Sequence, residues 1–176
     1  MPMQSKPKWS DVKQGLKGLE HRQLVELIQA LYQLSQVNKD FLHARFGDAG
    51  GSLDRYKNII EKSLCPGLGG TFQYKKAKNA IRDYSKATSD IEGMADLMIY
   101  YVECGNDFTL EYGDIDEAFY DQLLEMYDKA IASVLKLPKS KQQSFKDRLE
   151  AIRDAADGIG WGYHDGLGDS YAEAFE

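Results

Sequence analysis

The chain holds no apolar run long enough to cross a membrane. Its longest undiluted stretch, LMIYYV from Leu97, falls far short of the roughly 20 residues a spanning helix needs. The opening MPMQSKPKWSDVKQ lacks the apolar core of a signal peptide, so a cytoplasmic location with no membrane partner is expected. Cysteine is scarce: Cys65 and Cys104 have neither the spacing of a zinc-ligand set nor that of a disulfide framework, which fits a reducing compartment. With only three histidines, His21, His43 and His164, the chain is poorly supplied for a hydrolytic metal centre. No alternating apolar–polar pattern marks a strand, and no fixed repeat period emerges. Nothing calls for a cofactor. At 43% hydrophobic and 28% charged residues, the composition also excludes wholesale disorder.

What is present is helical periodicity. Leu24, Leu27, Ile28, Leu31 and Leu34 share one face, as do Leu53, Tyr56, Ile60 and Leu64. Ile91, Met94, Met98, Tyr101 and Val102 form a third face, and Phe119, Leu123, Met126, Tyr127, Ala130, Ile131 and Val134 the longest. Phe145, Leu149, Ile152 and Ala156 close the series. The spacing predicts eight or nine helices, over 10–17, 20–34, 36–46, 53–64, 74–87, 90–104, 115–136, 141–157 and 163–175. SDIE at 89–92, DIDE at 114–117 and SKQQ at 140–143 have the form of capping boxes. Glycine-rich breaks are expected at 47–52, 66–70 and 104–114, and Pro66 and Pro138 follow two of the helical runs. The predicted fold is all-α, one domain over 1–176 with residues 1–9 as a flexible tail, in an irregular antiparallel bundle or short solenoid-like stack.

Charge is unevenly distributed. Residues 1–88 carry 15 Lys and Arg against 8 Asp and Glu, a net of +7, whereas residues 89–176 have 7 against 20, a net of −13. Either the halves neutralise each other within one molecule, or they serve charged partners. Lys75, Lys78, Arg82 and Lys86 recur at helical spacing as a cationic stripe suited to an acidic protein or a phosphate backbone. Glu117, Asp121, Glu125 and Asp128 form a matching acidic stripe, relieved by Lys129 four residues after Glu125.

The segment GIGWGYHDGLGD (158–169) invites a catalytic reading. As a dinucleotide fingerprint it fails, because Asp165 stands where the third glycine belongs and a helix, not a strand, precedes it. As a metal site it offers His164, Asp165 and Asp169, which share an ion only if the helix breaks among them; Glu103, Asp107 or Asp114 are the carboxylates that would complete a Mg²⁺ or Mn²⁺ shell. The simpler expectation is docking: glycines admit a turn, Trp161 and Tyr163 clamp the segment, and Leu167, Tyr171 and Phe175 face the core. Tyr100 and Glu103 lie three apart and are candidates, with Tyr163, His164, Asp165 and Asp169, to line a cleft. Cys104, in acidic surroundings, reads as an inert structural thiol.

Four stretches, LYQLSQVNKDFLHARF (31–46), KAKNAIRDYSKATSD (76–90), LMIYYVECGNDFTLEYGDIDEAFYDQL (97–123) and GWGYHDGLGD (160–169), together resemble a family of small bacterial proteins described only as a domain of unknown function. That resemblance spans nearly the whole chain and implies an all-helical bacterial protein, but brings no activity or catalytic residue with it. The expected function is a helical interaction module for a charged partner, either another protein or a second copy of the chain. The alternatives are a small metal-dependent hydrolase or nuclease-like enzyme using His164, and nucleic-acid binding through the 75–86 helix.

Overall fold

Apolar periodicity and its punctuation place the helices close to expectation, except that the sixth, expected to end at 104, runs to Tyr112. The computed structural model describes residues 8–47, 49–67 and 69–176. Among them are α1 (Trp9–Lys17), α2 (His21–Leu34), α3 (Gln36–Phe46), α4 (Ala49–Leu64), α5 (Tyr74–Ala87), α6 (Ile91–Tyr112), α7 (Glu117–Val134), α8 (Lys139–Ala155) and α9 (Tyr163–Phe175), and no strand. The fold is all-α. The tail expected over 1–9 lies outside the described residues as far as residue 7, and Trp9 already begins α1.

The backbone divides into two units, Met1–Leu42 and His43–Glu176. In the first, α1 and α2 bury no residue at all. The second, the body, is built around α6, which packs on α4, α5, α7 and α8, while α9 closes over α7 and α8. Leu97, Ile99, Tyr101 and Val102 of α6 are completely buried, together with Ile60, Leu64, Phe119, Leu123, Tyr127 and Leu149 from its neighbours. A helix covered on most of its circumference must be apolar on most of it, and α6 is.

The break expected over 104–114 is not there: α6 continues to Tyr112, and only Gly113 ends it, with φ +92°. Gly105 is not a breaker but a point of close approach. A Cβ at that position would meet Leu123 Cδ2 at 2.3 Å, so the glycine lets α6 and α7 come together. Next to it, buried Asn106 donates from Nδ2 to the Ile152 carbonyl at 3.1 Å, tying α6 to α8. The break expected over 47–52 is likewise shorter, since α4 begins at Ala49.

The caps also shift. Asp90, not Ser89, caps α6 by accepting the Gly93 amide at 3.0 Å. Asp116, not Asp114, caps α7 by accepting the Phe119 amide at 2.8 Å. For α8 the cap position is Pro138 rather than Ser140. Asp114 is engaged elsewhere: it accepts Tyr120 Oη at 2.6 Å and Trp161 Nε1 at 2.9 Å. Those two donors, Tyr120 first, hold its carboxyl below the usual range.

The Trp161 contact fastens the 158–162 turn to the start of α7. Trp161 and Gly162 both take left-handed backbone conformations, φ +62° and +69°, and the chain then enters α9. Tyr163, Leu167 and Tyr171 are buried in the body. The glycine-rich segment is thus a docking device.

Candidate partner-binding surface

The cationic stripe lies along α5, where five Lys and Arg face a single carboxylate, Asp83. Its apolar side, Ala77, Ala80, Ile81 and Tyr84, is buried, which turns the charged side outward. The stripe is not uniformly free. Lys78 bonds Gln122 at 2.8 Å and forms an ion pair with Glu125 of α7. Arg82 and Lys86 approach Asp83 only at 3.8 and 3.7 Å, and their side chains are 60% and 61% exposed. Lys75 is exposed at the first turn.

Between α5, α6 and α7 this stripe borders a shallow groove of about 210 Å³. Met94, Met98, Met126 and Ile81 line its apolar part, and Lys78, Arg82 and Lys129 supply the charge. Methionine is unbranched and polarizable, so it fits apolar groups of varied shape. The groove therefore joins an adaptable apolar surface to cations from two helices. Periodicity alone assigned Met94, Met98 and Met126 to buried faces; that they meet at a groove depends on three helices at once.

The acidic stripe of α7 divides in the same way. Glu125 is held by Lys129 at 2.6 Å and by Lys78, and these pull its carboxyl down to about 2. Asp128 accepts the Ser170 hydroxyl at 2.7 Å. Glu117 and Asp121 are exposed on the first turns. Part of the charge imbalance is thus settled inside the body, where cations from the first half of the chain meet carboxylates from the second.

The larger settlement is a four-charge network that sequence reasoning missed. Arg148 of α8 grips Glu103 with two bonds of 2.8 Å and reaches Asp96 at 2.5 Å, while Lys57 of α4 reaches Asp96 at 2.6 Å. Asp96 is only 14% exposed. Burial works against the Arg148 charge, but Glu103 and Asp96 more than offset it and hold the guanidinium above its ordinary range. The signal in the sequence was the seven-residue spacing of Asp96 and Glu103, which puts two carboxylates on one face within the most apolar part of α6. Beside this network, Asp90, Glu92, Asp96 and Arg148 border a second cleft of about 430 Å³.

The six residues proposed to line one cleft fall into two groups. Tyr100 and Glu103 face α4 and α8: Lys57 Nζ sits 5.3 Å from the centre of the Tyr100 ring, and Glu103 is taken by Arg148. Tyr163 is core, its hydroxyl without a partner among the described residues. His164 is partly exposed, with Nδ1 3.7 Å from exposed Asp165, and Asp169 is exposed on α9. Among the described residues, no three of His, Cys, Asp and Glu gather closely enough to hold an ion. Cys104 is buried, and loss of hydration pushes its thiol up to about 12. The Cys65 thiol lies 3.8 Å from the Cys104 carbonyl oxygen.

No helix among the described residues is long and apolar enough to cross a membrane. Comparisons with known family models, curated proteins and solved structures find no match.

Proposed function

We propose that the protein is a helical interaction module whose α5–α6–α7 groove receives an acidic protein segment carrying an apolar anchor. The observation that carries this reading is the pairing of an apolar groove, Met94, Met98, Met126 and Ile81, with Lys78, Arg82 and Lys129. An apolar side chain would enter the groove, and carboxylates flanking it would meet exposed Arg82 and compete with Glu125 for Lys78 and Lys129. Electrostatic attraction then sets encounter rate and partner choice, and the apolar anchor sets residence time. The two free thiols are in keeping with action in the cytoplasm.

Selection from a random-peptide display library tests this, followed by fluorescence polarisation of the enriched peptides. Expected are sequences with Leu, Met or Phe flanked by Asp or Glu. Their binding weakens steeply with salt and by about tenfold or more in Arg82→Glu, a reversal of one rim charge. Arg82 is the informative position because it is exposed, whereas Lys78 also ties α5 to α7. An enriched set without acidic residues, or equal binding by Arg82→Glu, would contradict the proposal. So would a labelled single-stranded oligonucleotide that binds through Arg82 while the peptides do not.

A further inference from the structure

The groove leaves the N-terminal unit unused, and that unit exposes a run of large apolar residues. Nine large apolar residues between Trp9 and Phe41 are exposed, from Leu27 at 39% to Leu34 at 76%. These helices hardly pack on each other, so their own unit provides no cover. The arrangement is regular. In α2, Leu24, Leu27, Leu31 and Leu34 follow steps of three, four and three, the a/d spacing of a helix that pairs with another helix. Trp9, Val12 and Leu16 of α1, with Leu19 just beyond it, repeat those steps.

We infer that the leucine seam of α2, extended by the apolar face of α1, is covered by the same surface of a second copy, making the protein a two-fold homodimer. Three observations select a second copy over other covers. First, the seam is self-complementary. In a parallel pair leucine meets leucine at every layer, and in an antiparallel pair centred on Gln29, Leu24 meets Leu34 and Leu27 meets Leu31. Second, the positions flanking the α2 seam, His21, Gln23, Ile28 and Ala30, carry no carboxylate, Lys or Arg, so α2 approaching its own copy meets no like-charge repulsion, and the cations beside the apolar face, Lys8 and Lys13, are confined to α1 and its N-cap. The only charged side chains within α2, Arg22 and Glu26, pair with each other at 3.0 Å. On α2, the longer part of the seam, an anionic lipid surface therefore finds no cationic face, unlike the Lys- and Arg-rich helices that lie on membranes; the Lys residues of this surface belong to α1 and its N-cap alone. Third, the exposed residues on or beside the seam, Trp9, Val12, Leu27, Ile28, Leu31 and Leu34, together present on the order of 600 Å² per copy, so a symmetric pair reaches the lower end of the range for specific interfaces.

Sedimentation velocity of the full chain, from nanomolar to tens of micromolar, tests the inference. The wild type is expected to pass from one to twice the monomer mass across that range. Leu27→Glu/Leu31→Glu is expected to weaken association by about a hundredfold or more, since it puts two charges at the centre of the seam. Leu34→Asp, at a position already 76% exposed and so unable to unfold the chain, is expected to shift the same midpoint. Gln29→Glu, on the opposite face, is expected to leave it in place. A wild type that stays monomeric throughout overturns the inference, whether or not it floats with phosphatidylglycerol vesicles. A dimer that keeps its affinity in both Leu27→Glu/Leu31→Glu and Leu34→Asp overturns it as well.

Discussion

Helix α6 buries eleven of its residues, whereas α1 and α2 bury none. Yet the seam of α2 is as regular as the face of α7, which buries Phe119, Leu123, Met126, Tyr127 and Ala130. The difference lies in the cover and not in the helices. In the body, each apolar face meets another, and the charges beside it find partners, as Lys57, Asp96, Glu103 and Arg148 do. In the N-terminal unit the faces form, and the helices of that unit hardly cover one another. Periodicity therefore states that a helix face needs covering without stating what covers it.

The comparison breaks most visibly at Arg148. Arg148→Ala leaves Asp96 and Glu103 charged and half-buried with Lys57 as the remaining cation. Because these groups keep some solvent, the expected loss is about 2–3 kcal/mol, below that for a fully buried pair, read as a lower urea midpoint for the body.

A smaller and more discriminating effect comes from making one substitution in both regions. Gly105→Ala brings a Cβ within 2.3 Å of Leu123 Cδ2, and the overpacking outweighs the better helix propensity. The expected cost is about 1–3 kcal/mol in thermal unfolding. Gly15→Ala in α1 meets nothing within 4 Å, so the same change is expected to favour that helix by about 0.5–1 kcal/mol, read as higher helicity by circular dichroism. Equal signs at the two positions would remove the contrast between the units.

The smallest effect is at Glu125. Its carboxyl is depressed from an ordinary value of 4.5 to about 2. The stability it contributes is therefore fully present above pH 4.5 and is lost as pH falls through about 2. Glu125→Gln is expected to flatten the acid limb of the stability profile between those values and to change stability at neutral pH by less than about 1 kcal/mol.

The fold was legible to a large extent because apolar spacing and turn residues act locally. All nine expected helices are found among the described residues, and Leu167 and Tyr171 pack as their spacing indicates. What was misread depends on distant partners. Gly105 reads as a helix breaker until Leu123 is known to press against it. Asp114 has the sequence context of a cap, but Tyr120 and Trp161 claim it and Asp116 caps instead. Of the candidate surface, the stripes on α5 and α7 were readable from their spacing. Their meeting at Lys78 and Glu125, and the groove they border, depend on how three helices pack.

Hydrogen exchange of the full-length wild type, followed by mass spectrometry at high and low protein concentration, tests the contrast between the units most directly. The account predicts that amides of α6 and α7 are equally protected at both concentrations. Those of α2 should be protected at high concentration and lose that protection on dilution, because their cover is a second copy. Protection of α2 that matches the body and ignores concentration would contradict the account and place its cover within the single chain.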